Sequence, residues 1–168
     1  ANKAGISKGA LFYYFKNKES FYLYLHEFCQ NLMLKSMETQ EFQRITDFFE
    51  RIHFATEQKL KIIAEYPFIT DFSINAVSDK SSGLSKQWAS YMNDALYNSF
   101  DIYFRNIDTA KFKKDVNPKQ IYQMMLWMSE GYINEKKRMN TPIILEDFLA
   151  DFKTWETLMK KACYKEEI

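Results

Sequence analysis

Apolar residues recur along most of this chain at helical spacing. Phe21, Leu25, Phe28 and Leu32 fall on one stripe at i, i+4, i+7 and i+11, which predicts a helix from Lys18 to about Met37. Ile45, Phe48, Phe49, Ile52, Leu60 and Ile63 predict a second, from about Phe42 to Glu65, stopped by Pro67 because proline disfavours αR in the residue before it. Proline also suits the start of a helix, so a short one is expected over Phe68 to Val77. The polar run Ser78 to Gly83 reads as a loop. Trp88, Met92, Leu96 and Tyr103 mark a long helix over about Leu84 to Arg105, and Asn106 to Val116 is polar and irregular.

Two helices complete the pattern. Asn117-Pro118 gives a cap and a first-turn proline for a helix to about Arg138, which ends in three cations suited to the negative helix end. The last runs over about Ile144 to Tyr164, with Leu145, Phe148, Phe152, Trp155 and Met159 along one side. No strand pattern, repeat or low-complexity segment interrupts the series. The fold class is all-α, and the scarcity of breakers (4 Gly and 3 Pro) agrees with long helices.

The most specific segment is Ala4 to Phe21, AGISKGALFYYFKNKESF. Gly5 can supply a turn, since glycine enters φ > 0 without a Cβ clash. Ser7 stands where an N-cap belongs. Lys8 to Phe15 forms a short helix, and Lys16-Asn17-Lys18 breaks before the next. This reads as the second half of a helix-turn-helix, whose recognition helix enters the major groove while flanking cations and hydroxyls hold phosphates.

The order small-Gly-hydrophobic-Ser-x-Gly-small-Leu-aromatic-x-x-Phe-x-x-Lys-Glu resembles the DNA-binding signature of the tetracycline-repressor (TetR) family of bacterial transcription regulators. The resemblance implies that the aromatic cluster Phe12-Tyr13-Tyr14-Phe15 belongs to the recognition helix and that Lys18 opens the next helix and touches phosphate. The family usually carries tyrosine at the position of Phe12; Tyr13 or Tyr14 can supply the hydroxyl instead. The DNA-binding set is therefore Ser7, Lys8, Gly9, Ala10, Tyr13, Tyr14, Lys16 and Lys18. Ala1 to Ala4 looks like the tail of a preceding helix, so the family's first helix and most of its second are expected to be absent from this chain, which on its own should bind DNA poorly.

Charge adds to this picture only through its distribution. The chain carries a net +1, yet residues 1–20 hold four lysines against Glu19, a net +3, leaving −2 for the rest. Positive charge thus gathers where phosphate contact is expected. Hydrophobic residues at 46% beside 27% charged describe a folded soluble domain rather than a disordered one. No apolar run reaches the ~18 to 20 residues of a membrane span. Cys29 and Cys163 are too few and too far apart for a disulfide framework, which fits a cytoplasmic protein.

Two domains are expected: residues 1–37, the end of a helix-turn-helix with its connecting helix, and 38–168, a helical ligand-binding and dimerisation domain. The helix from Pro118 is apolar around most of its girth, so it needs cover on more than one side. In TetR-like regulators the last two helices pair two subunits, which implies a homodimer interface at Tyr122, Met125, Gly131, Phe148, Phe152, Trp155 and Met159. The family's effector pocket lies among the middle helices. Here it implies Phe49, Phe72, Trp88, Met92, Tyr103, Met124, Trp127 and Met128, a lining suited to an apolar or aromatic small molecule, although core packing explains any one of them.

Other chemistry finds little support. His26 and Cys29 form at most half a metal site, His53 is the only other histidine, and ordinary packing is favoured. The four glycines cannot build a phosphate loop, and no nucleophile–base pair stands at meaningful spacing. No cofactor or metal is expected. The sequence reads as a dimeric, ligand-responsive DNA-binding regulator, a repressor by family habit, with double-stranded DNA, a small effector and a second copy as partners. The alternative is an all-α small-molecule-binding protein or enzyme whose N-terminal helices are only structural.

Overall fold

The computed structural model describes residues 4–69, 72 and 98–166. Six α-helices are defined over these residues: α1 (Lys8–Tyr14), α2 (Lys18–Met37), α3 (Gln40–Arg44), α4 (Phe48–Glu65), α5 (Pro118–Arg138) and α6 (Leu145–Cys163). Residues 98–103 are also helical, and Thr109–Lys111 form one 3-10 turn. Among the described residues there is no strand; Phe112 and Tyr164 make an isolated antiparallel bridge. The all-α class is as the periodicity indicates. No helix among the described residues is long and apolar enough to cross a membrane.

The chain divides into two compact units, residues 1–39 with 61–99, and residues 40–60 with 100–168. In the first, Phe15 packs on Phe21 and Tyr24 with ring centroids 4.9 and 5.1 Å apart, tying the end of α1 to the start of α2. Further along, Tyr22 meets Phe72 at 5.5 Å and Phe28 meets Tyr66 at 6.0 Å.

The second unit holds the described core. Phe48, Phe49 and Ile52 of α4 meet Phe104, Phe112, Ile121, Met125, Phe152 and Cys163. Aromatic rings fill much of it in tilted and edge-on pairs, the arrangements their quadrupoles favour. Phe48 alone faces Phe49, Phe104 and Phe112 at 5.0 to 5.4 Å.

One predicted helix is two. Its apolar pattern runs without pause from Phe42, but the chain leaves the helix at Ile45 and re-enters at Phe48. Asp47 is the reason: its Oδ1 accepts from the amides of Phe49 and Glu50 at 3.0 and 3.1 Å, capping α4. Arg51 secures the break from inside. Its guanidinium lies 4.3 Å from the centre of the Phe42 ring and donates to the Ile45 carbonyl at 3.0 Å.

The remaining boundaries differ little. α1 ends at Tyr14 rather than Phe15, and α6 spans Leu145–Cys163 inside the expected 144–164. The helix expected to reach Arg105 ends at residue 103. The expected short helix over 68–77 is described only at 68, 69 and 72, where the backbone is helical. Its remainder, the loop 78–83 and the helix start at Leu84 lie outside the described residues.

Candidate nucleic-acid interface

Gly5 has φ +66°, the left-handed conformation that glycine adopts without strain. The next residues return to extended backbone, and the Ser7 hydroxyl accepts from the Ala10 amide at 3.0 Å. α1 therefore begins at a defined place. Asn17 repeats the device for α2, its Oδ1 accepting from the Ser20 amide at 2.8 Å. Two side-chain caps ten residues apart fix both ends of the α1 segment, and Phe15 anchors it.

Every residue of the expected DNA-binding set is exposed, on α1 or beside its ends. No residue of α1 is buried. Lys8, Gly9 and Ala10 lie open at its start, with Lys16 and Lys18 exposed after its end. Tyr13 and Tyr14 are 85% and 79% exposed and pack edge to face at 5.6 Å. Phe12 is also exposed, beside them. Among the described residues a Cβ on Gly9 would meet only the Ser7 hydroxyl, at 3.7 Å, so none of them demands glycine there. An open glycine at a helix start lets another backbone approach closely.

The candidate ligand residues do not share one environment. Phe49 is in the core of the second unit, with Tyr103 and Met128 packed against that core. Met124 and Trp127 are exposed on α5, Trp127 by 58%. Phe72 lies in the first unit against Tyr22. Trp88 and Met92 lie outside the described residues.

The candidate dimer residues divide as well. Met125 and Phe152 are sealed within their own subunit, so neither presents a surface to a second copy. Tyr122, Phe148, Trp155 and Met159 pack against that same core. Gly131 stays open, with nothing within 4 Å of an added Cβ. Met124, Trp127 and Gly131 form an exposed stripe at i, i+3 and i+7 on α5, beside the buried Ile121 and Met125. Periodicity alone does not separate the two faces, because both are apolar.

Sequence reasoning missed a cleft of ≈ 220 Å³ in the second unit, whose lining includes Phe49, His53, Phe54 and Glu156. Its signal was scattered: His53 and Glu156 are 103 positions apart, yet His53 Nδ1 is 3.1 Å from Glu156 Oε2. His26 and Cys29 are both half-buried, and burial lowers the pKa of the first and raises that of the second. Among the described residues no three His, Cys, Asp or Glu side chains converge as a metal would need.

No curated protein and no solved structure matches this chain. A family profile described as bacterial regulatory proteins, tetR family, matches residues 1–25. That span contains the glycine turn, the serine cap and all of α1. Over residues 1–25, then, the chain carries the head of the tetR family of bacterial regulatory proteins.

Proposed function

We propose that this regulator acts as a homodimer and represses transcription, and that a small apolar or aromatic effector releases it from its operator. The observation that carries the reading is α1: a capped helix with no buried residue, an open glycine at its start, two solvated tyrosines, and lysines before and after the turn that follows. Lysines and hydroxyls would position the helix on phosphates, and the small start at Gly9-Ala10 would let it enter the major groove. A dimer presents two such helices to a two-fold symmetric site. The open stripe of α5 is our candidate for the subunit contact, as family members typically pair.

Release would work by population shift. An effector weakens DNA binding only to the extent that it prefers the dimer state whose recognition helices are misplaced. Selection from a random duplex pool, on protein carrying any natural N-terminal extension, tests the reading. A palindromic site bound with steep salt dependence is the expected result. Salt-insensitive or absent DNA binding would instead favour a small-molecule-binding protein or enzyme with a structural N-terminus.

A further inference from the structure

The cleft in the second unit runs between α4 and α6. Phe49, His53 and Phe54 line one side, Glu156 and Thr157 the other, with Ile45 contributing apolar surface. Glu156 is 3% exposed. Its Oε2 is 3.1 Å from His53 Nδ1 and 3.6 Å from Lys153 Nζ. Its Oε1 is buried and has no hydrogen-bond partner. A buried carboxylate oxygen without a donor leaves its desolvation uncompensated. Burial accordingly pushes the Glu156 carboxyl above the usual carboxylate range, against the pull of His53 and Lys153.

The nearby cations do not remove this deficit. Lys153 and Lys160 line the same cleft, but the Lys153 side chain is largely in water and Lys160 stands 3.6 Å from Asp47. Glu50 and Glu57 add two more carboxylates to the lining. An anion would meet these acids, and a hydrocarbon would leave Oε1 as it is. An ammonium group supplies both N–H donors and charge, and aromatic rings such as those of Phe49 and Phe54 in the lining attract a cation besides. Glu156 lines the cleft, so an ammonium group entering it meets this carboxylate. Size narrows the choice further: pockets for drug-sized molecules run from about 300 Å³ upward, and ≈ 220 Å³ suits one ring or a short alkyl chain.

We propose that this cleft binds a small organic monoammonium ion, its N–H groups pairing with the Glu156 carboxylate and its apolar part lying against Phe49 and Phe54. The site shares only Phe49 with the effector lining expected from sequence. Binding here belongs to the second unit and does not depend on the DNA-binding reading.

Isothermal titration of the whole chain with 2-phenylethylammonium, and separately with neutral 2-phenylethanol, tests it. The expected result is saturable binding of the amine, about tenfold or more tighter than the alcohol. Glu156→Gln should lower amine affinity about tenfold or more and leave the alcohol unchanged. Thr157→Trp, at an exposed rim position, should fill the cleft and abolish binding of the amine; it carries the test if Glu156→Gln does not fold. Absence of saturable amine binding by the folded wild-type chain would overturn the proposal. So would equal affinity for amine and alcohol, or amine binding indifferent to the substitution at whichever position folds.

Discussion

Lys111 donates from Nζ to Oδ2 of Asp47 across 2.9 Å, while the other oxygen of the same carboxylate caps α4. One side chain thus ends a loop, starts a helix and ties down the 3-10 turn 64 residues later. Asp47 is buried, and that burial pushes its pKa up; the Lys111 hydrogen bond, the Glu50 amide and Lys160 together outweigh it and hold the carboxyl below its usual range.

Asp47→Ala should therefore destabilise the second unit by about 1 to 2 kcal/mol, the usual cost of a lost cap with a charged partner left over. Because the folded pKa is depressed, the Asp47 contribution is fully present above the unfolded value near ~3.9 and is lost as pH falls through the lower folded value. Urea unfolding from pH 7 to pH 3 should show wild type and variant converging only at the acid end.

Glu156 should behave in the opposite sense. Its folded pKa is raised, so the native state holds its proton more tightly than the unfolded chain. Wild-type stability contributed by this group is then highest below the unfolded value near ~4.3 and falls as pH rises through the folded pKa. Thermal unfolding of Glu156→Gln should lack that decline. Its partners His53 and Lys153 are partly exposed, so water can take over their pairing.

At the DNA-binding head, Lys8→Ala and Lys18→Ala should each weaken binding to every sequence and reduce the slope of log K against log salt by about 0.9, one phosphate contact apiece. Gly9→Ala should separate stability from function. It favours the helix by about 0.5 to 1 kcal/mol and meets only an ordinary contact at Ser7, yet it should reduce operator affinity. Fluorescence anisotropy beside thermal unfolding reads both effects. Unchanged affinity would mean that no backbone approaches α1 at this point.

For the subunit contact, Trp127→Ala should leave the fold of each subunit nearly unchanged, since the ring is 58% exposed, while raising the dimer dissociation constant about tenfold or more, as a central aromatic anchor does. Gly131→Ala should likewise favour the helix by roughly 1 kcal/mol in the isolated subunit and weaken pairing where helices cross closely. Sedimentation equilibrium over a wide concentration range measures both. A concentration-independent monomer for the wild-type chain would remove the interface.

By itself the sequence determined the all-α class, the Gly5 turn, the Ser7 and Asn117 caps, and the extents of α2 and α5. Each depends on groups within a few positions, such as Ser7 with the Ala10 amide or Asn117 with Pro118 and the Lys119 amide, and the backbone chemistry of a cap operates at that range. The tertiary structure revealed where the second predicted helix breaks: the Asp47 cap is local, but the apolar pattern runs on unbroken past it, and the partners that hold the buried carboxylate, Lys111 and Lys160, come from distant segments. It alone placed Met125 inside and Trp127 outside on a helix apolar on both faces. It also brought Glu156 to His53 and left one carboxylate oxygen buried without a partner. Which apolar face is covered, and which buried charge is satisfied, depends on how segments far apart in the chain meet.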